Sequence, residues 1–301
     1  MIAVIRTEQL AKKFRASDAL AGVTFEVPAG SAFVLLGPNG AGKTTAIKIL
    51  MNLLEPTSGY AEVLGVDSRR LAPSDRVEIG YVSENRQLPD WMRVGYFLSY
   101  CKGFYPNWND DDAAELTRRF ALPLDRPLKA LSRGMRIKVA VAAALSYRPH
   151  LIVLDEPFGG LDVLVRDQLI ESILERTPES TVFLASHDLS EIESFATHVA
   201  YIDEGKLRFV EDLGALCQRF REIEVVLERP AALPDQLPST WLNPEASSAV
   251  VRFTHSAYES DHTDAEVRRT FSGIREISVR TLTLRSIFIA LAKLAQMDPS
   301  R

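Results

Sequence analysis

Cysteine is nearly absent. The 301 residues hold two, Cys101 and Cys217, far apart and with no Cys-x-x-Cys spacing, so they read as free thiols of a reducing compartment. Long hydrophobic runs are missing as well. The richest, residues 139–145, is bounded by Lys138 and by Ser146-Tyr147-Arg148-Pro149, far short of the roughly 20 apolar residues that cross a bilayer. The opening Met1-Ile2-Ala3-Val4-Ile5 reaches Arg6 and Glu8 too soon for a signal peptide. A basic excess is lacking too: 35 Lys and Arg stand against 40 Asp and Glu, a net charge of −5, and no nucleic-acid partner is expected. No Asn-Lys-x-Asp segment of the guanine-reading kind occurs, which counts against a GTPase.

What is present is a phosphate-binding loop. Gly37-Pro38-Asn39-Gly40-Ala41-Gly42-Lys43-Thr44 fits G-x-x-x-x-G-K-[ST] and follows the apolar run Ala32-Phe33-Val34-Leu35-Leu36. Its glycines let backbone N–H groups turn inward around phosphate oxygens. Lys43 brings a point charge to the β- and γ-phosphates, and Thr44 a hydroxyl for Mg²⁺. Thr45 opens a segment of helical spacing whose positive N-terminal end faces the same anion.

A second constellation lies 112 residues beyond Lys43, where the buried-strand pattern Leu151-Ile152-Val153-Leu154 ends in Asp155-Glu156-Pro157. A carboxylate at the C-terminal end of a parallel strand stands where open α/β sheets gather ligand groups. Asp155 suits Mg²⁺, and Glu156 can orient or deprotonate a water beside a γ-phosphate. Leu131-Ser132-Arg133-Gly134-Met135 opens the helix before that strand, Gly159-Gly160-Leu161-Asp162 follows it, and His187 follows the apolar strand 181–185.

In order and content these motifs resemble the nucleotide-binding subunit of ATP-binding cassette (ABC) transporters, over roughly residues 3–215. The resemblance implies a P-loop NTPase fold: α/β, a mixed sheet, a helical subdomain near 88–147, and a cassette ending near 218. It makes residues 37–44 Walker A, residues 151–156 Walker B with Glu156 as catalytic base, and Ser132 and Gly134 the signature motif. Asp162 becomes the D-loop residue, His187 the switch histidine, and Phe14 the aromatic that stacks on adenine. Glu84 stands where the family carries the Q-loop glutamine, leaving Thr44, Glu84 and Asp155 as oxygen ligands for Mg²⁺. Arg133 and Met135 depart from the usual Leu-Ser-Gly-Gly-Gln. Both departures look like those of bacterial export-type cassettes.

The resemblance further implies ATP and Mg²⁺ as cofactors, a transmembrane permease as partner, a second cassette in a homodimer or heterodimer, and a place on the inner face of the cell membrane. An ABC ATPase acting on the ribosome or DNA is the competing reading. Only one phosphate loop is present, and fewer than 100 residues separate Lys43 from Ser132, too few for a long coiled-coil insertion.

Three stretches carry weaker signals. Seven of the 25 aromatics fall between Trp91 and Trp108, which suits a hydrophobic mini-core and a docking surface alike. Asn109-Asp110-Asp111-Asp112 reads as a helix start. Beyond residue 218 the texture becomes α+β, punctuated by Pro230, Pro234, Pro238 and Pro244. It resembles the accessory domain of some such cassettes. There His255, Asp261, His262 and Asp264 read as solvated residues of a loop and a helix start rather than a metal site.

Overall fold

Strands 32–36, 151–155 and 181–186 are apolar at nearly every position, and a strand can be apolar on both sides only if both faces are covered. The computed structural model describes residues 2–15, 17–83, 88–175, 180–189, 193, 195–230, 232–234 and 236–297, with side chains of the last helix described through residue 291. The chain divides into two compact units, residues 1–210 and 211–301.

In the first unit a long hairpin, β1 (Ala3–Phe14) and β2 (Ser17–Pro28), leads into β3 (Ala32–Leu36), and the phosphate loop runs into α1 (Lys43–Leu50). Then come β4 (Ser58–Val63), β5 (Val66–Asp67), a one-turn α2 (Pro73–Arg76) and β6 (Ile79–Ser83). The helical layer is α3 (Val94–Lys102), α4 (Asp110–Arg119) and α5 (Arg133–Leu145). The unit closes with β7 (Leu151–Asp155), α6 (Val163–Leu174), β8 (Thr181–Ser186), β9 (His198–Asp203) and β10 (Lys206–Asp212), which runs to the border of the second unit.

These strands form two sheets. An antiparallel one has the order β2-β1-β4-β5, and the central one has the order β10-β9-β3-β8-β7-β6. In the central sheet β9, β3, β8, β7 and β6 run parallel. Between the sheets Phe25, Phe33 and Phe183 stack at 5.7–5.9 Å within one apolar cluster, which ties the hairpin to the central strands. The Asp run does open a helix: Asn109 Oδ1 accepts from Asp112 N at 3.0 Å. Asp112 itself is buried and takes two hydrogen bonds from Arg148.

The second unit holds α7 (Leu213–Arg219), β11 (Arg221–Leu227), β12 (Trp241–Ser247), β13 (Val250–His255), α8 (Ser260–Thr270), β14 (Ile274–Thr281) and α9 (Leu284–Met297). Its sheet, ordered β12-β13-β11-β14, is antiparallel throughout. Strands β13 and β14 flank β11, run parallel to each other and are joined by α8, a split βαβ unit. Ile223, Val225, Trp241, Phe253, Val267 and Phe271 make its core. One residue departs from the sequence expectation. His255 is not solvated but buried at the end of β13, its Nε2 facing Glu266 Oε2 at 3.3 Å.

Candidate functional site

Three adjacent parallel strands assemble the site. β8 lies between β3 and β7, and the register sets Leu36 beside Ser186 and Asp155 beside Ala185. The loops leaving β3, β7 and β8 therefore start level with one another, at the carboxyl end of the sheet. Two cross-links hold them: Gly37 N donates to Ser186 O at 3.2 Å, and Glu156 N donates to Ala185 O at 3.0 Å.

The phosphate loop is shaped by its neighbours. A β-carbon at Gly37 would lie 2.1 Å from the Ile202 carbonyl oxygen, and one at Gly42 would lie 2.4 Å from that of Ala19. Gly42 also has φ near +109°, closed to other residues, and caps the start of α1. Gly205 N donates to Ala41 O, so the β9–β10 turn braces the loop.

Lys43 leaves this loop almost fully buried. Its Nζ donates to Gly37 O at 2.6 Å and to Pro38 O at 3.0 Å, and it forms an ion pair with Glu156 Oε1 at 3.0 Å. The other Glu156 oxygen lies 2.7 Å from His187 Nδ1, which must carry a hydrogen to bond a carboxylate. Glu156 stands in the left-handed region at φ near +51°, a backbone cost of about 1–2 kcal/mol for a side-chain-bearing residue. That conformation turns it away from the path of its neighbour. Asp155 instead accepts a 2.8 Å hydrogen bond from Thr44 Oγ1. Burial pushes the Asp155 carboxyl above the ordinary carboxylate range; the Thr44 hydroxyl works against that, and the nearby Glu156 charge adds to it.

Lys43, Thr44, Asp155, Glu156 and His187 are thus brought together from three loops. Ser132, Gly134 and Asp162 belong to a second grouping. Ser132 Oγ caps α5 by accepting from Met135 N at 3.3 Å, and Asp162 caps α6 by accepting from Val165 N at 3.0 Å. Gly134 faces Leu161 and Val165, while the Arg133 guanidinium lies on the Gly159–Gly160 backbone, 3.1 Å from where a Gly160 β-carbon would sit. The link from Arg133 to this turn was missed in the sequence, although two successive glycines are a sign of close approach. Phe14 is 46% exposed at the end of the hairpin, with Lys12 Nζ 5.4 Å from its ring centroid, so it is no core aromatic. Glu84 lies outside the described residues.

Among the described residues no cluster of three or more His, Cys, Asp or Glu is placed to hold a metal, which includes the His255 region. No described helix is long and apolar enough to cross a membrane.

Comparison with known proteins matches this geometry. The family described as "ABC transporter" matches residues 20–159. The daunorubicin/doxorubicin resistance ATP-binding protein DrrA of Streptomyces peucetius is 30% identical over 303 residues, covering 95% of this chain and 92% of that protein. The ABC transporter ATP-binding protein YtrB of Bacillus subtilis (strain 168) is 26% identical over 227 residues, 75% of this chain and 77% of its own. A solved ATP-binding subunit of an ABC transporter superposes with a TM-score of 0.65 at 26% identity, over 71% of this chain and 92% of that one. The fold, the site and these likenesses agree: the chain belongs to the ATP-binding subunits of ABC transporters, and it is an ATPase.

Proposed function

We propose that this subunit drives an exporter, coupling hydrolysis of ATP to the movement of drug-like organic molecules through a separate membrane permease. The observation that carries the chemistry is the Lys43–Glu156–His187 chain of contacts beside the Thr44–Asp155 pair. The likeness to DrrA supports export, since it runs through the C-terminal unit as well as the cassette.

In this reading residues 37–45 cradle the phosphates and Phe14 stacks on the base. Thr44 and Asp155 offer two adjacent hard oxygens, one hydroxyl and one buried carboxylate, a donor set that fits Mg²⁺. When bound, that ion neutralises phosphate charge. Glu156 takes the proton of the attacking water as its oxygen bonds the γ-phosphorus, the bond to the bridging oxygen breaks, and ADP leaves with the electron pair. His187 holds the Glu156 carboxylate in place through Nδ1. Lys43 moves its charge from Glu156 to the phosphates, which frees the base as nucleotide arrives.

Ser132, Gly134 and Asp162 act on the nucleotide of a second cassette. The bonds of Ser132 and Asp162 are local, which leaves this surface for a partner. The two cassettes close on ATP and part after hydrolysis. Trp91, Tyr96, Tyr100 and Phe104 are all exposed on or beside α3 and form an apolar patch suited to the permease. The protein then works at the inner membrane face.

The test is purification from membranes followed by transport in inside-out vesicles. The reading expects a multispanning partner to co-purify, and ATP to drive uptake of a fluorescent anthracycline into the vesicles. Recovery with ribosomes and no membrane protein would overturn it.

A further inference from the structure

The two edges of the C-terminal sheet are built differently. β12 is broken by Pro244, by Asn243 at φ near +49° and by a register shift between Leu242 and Glu245. Such devices keep an edge from pairing with another strand. β14 has no proline and no positive φ, and its one register shift, between Val226 and Leu227 of β11, lies at its first residues. Over the rest of its eight residues, Ile274–Thr281, it pairs with β11 in unbroken register from Arg221–Thr281 to Val226–Glu276. Among the described residues it pairs with β11 alone, which leaves its outer backbone groups facing outward. A cavity of about 570 Å³ runs beside it under α8, with Ile277 and Val279 in its wall, and Val279 is 42% exposed.

The strand also matches itself. If two copies pair antiparallel about an axis at Ser278, Glu276 of each faces Arg280 of the other and Ile277 faces Val279. Centring the axis on Ile277 sets Arg275 against Val279, and centring it on Val279 sets Ser278 against Arg280. Only the Ser278 register puts opposite charges on one face and apolar pairs on the other. The charges are available for this. Among the described residues Glu276 has no ion-pair partner, and Arg280 reaches Glu224 at 3.9 Å.

We propose that β14 is a self-association edge, joining the C-terminal units of two copies into one eight-stranded sheet. The occupant is a second copy of this chain, so the proposal rests on the reading that both cassettes of the transporter are this protein. It adds a contact that needs no nucleotide and holds the pair together while the ATP sites open.

The experiment uses the full chain with Cys101→Ser and Cys217→Ser. Adding Ser278→Cys should give a disulfide-linked dimer on mild oxidation without nucleotide, because residue 278 meets its own copy. Thr281→Cys, which faces Arg275, should not. In sedimentation without nucleotide, Glu276→Arg and Arg280→Glu should each weaken the dimer by roughly tenfold or more, and the two together should restore it. A monomer at about 50 µM, equal cross-linking at both cysteine positions, or indifference to the charge changes would overturn the proposal. Capture at β14 of a permease peptide by a monomeric chain would do the same. ATP-driven pairing of Glu156→Gln is measured alongside. If it persists while the edge fails, only the edge is lost. If the edge holds while ATP-driven pairing fails, the cassette reading is at fault.

Discussion

Lys43 and Glu156 form a buried ion pair, Nζ to Oε1 at 3.0 Å, with 4% and 13% of their side chains exposed. The cation proposed to meet the phosphates and the acid proposed as the base thus neutralise each other in one chain. The pair comes from residues far apart in sequence, and it makes each partner's loss felt by the other.

Removing Lys43 alone leaves Glu156 charged and largely buried. Lys43→Ala should abolish ATP binding and lower stability by about 3 kcal/mol, as when one partner of a buried pair is deleted. Glu156→Gln should cost less, since the amide stays polar and uncharged. The double variant should be more stable than the sum of the two predicts. Urea unfolding of the four proteins closes the cycle, and strict additivity would show that the pair contributes no coupling.

Glu156→Gln should keep ATP affinity within a few-fold while hydrolysis falls by about 10²–10⁴, the scale of a lost general base. His187→Ala should slow hydrolysis less, because Glu156 keeps its carboxylate and loses only the Nδ1 contact at 2.7 Å. Single-turnover rates separate binding from chemistry. Undiminished hydrolysis in Glu156→Gln would place the base elsewhere.

Asp155 binds a proton more readily than an ordinary aspartate because it is buried. Ionising it in the folded protein is unfavourable without a cation, so its contribution to stability is lost as pH rises from the ordinary value through the raised one. Metal binding needs the ionised form. Affinity for Mg²⁺-ATP should therefore fall, on acidification, at a higher pH than an ordinary carboxylate would give. Thr44→Val removes one of the two oxygens offered to Mg²⁺ together with the hydrogen bond that favours the charged form, so it should weaken Mg²⁺-ATP binding at every pH and also move that limb further toward neutral pH. Isothermal titration from the ordinary carboxylate range up to neutral pH reads it; an unmoved limb would remove Thr44 from the coupling.

In the C-terminal unit, burial holds His255 below the ordinary histidine range despite the facing Glu266 carboxylate, and His262 adds to the lowering. The folded protein then binds fewer protons than the unfolded one between the two values. Stability is full above about pH 6.5 and falls as pH drops through the window below it. Trp241, whose Nε1 donates to the same Glu266 oxygen at 2.8 Å, should report this in its fluorescence. His255→Phe should flatten the acid limb, and an unchanged slope would exclude His255 as its source.

Residues 37–44 and 151–156 were legible because each motif is contiguous, and the chemistry of a turn or a strand tip is local. The paired helix caps at Asn109 and Ser132 follow from the same local logic. The C-terminal unit was less open to reading. β12 was not foreseen, because Asn243 and Pro244 interrupt its alternation and its pairing to β13 supplies what the pattern lacks. His255 looked like a loop residue until its strand register buried it.

The sequence alone therefore determined which groups are candidates for the chemistry: a glycine-shaped loop, a lysine, a hydroxyl, two adjacent acids and a histidine. Only the tertiary structure decided that Lys43, Glu156 and His187 touch. That depends on β8 lying between β3 and β7, a strand order fixed by packing between residues distant in the chain. It also depends on the positive φ at Glu156, which sends two neighbouring carboxylates to different partners.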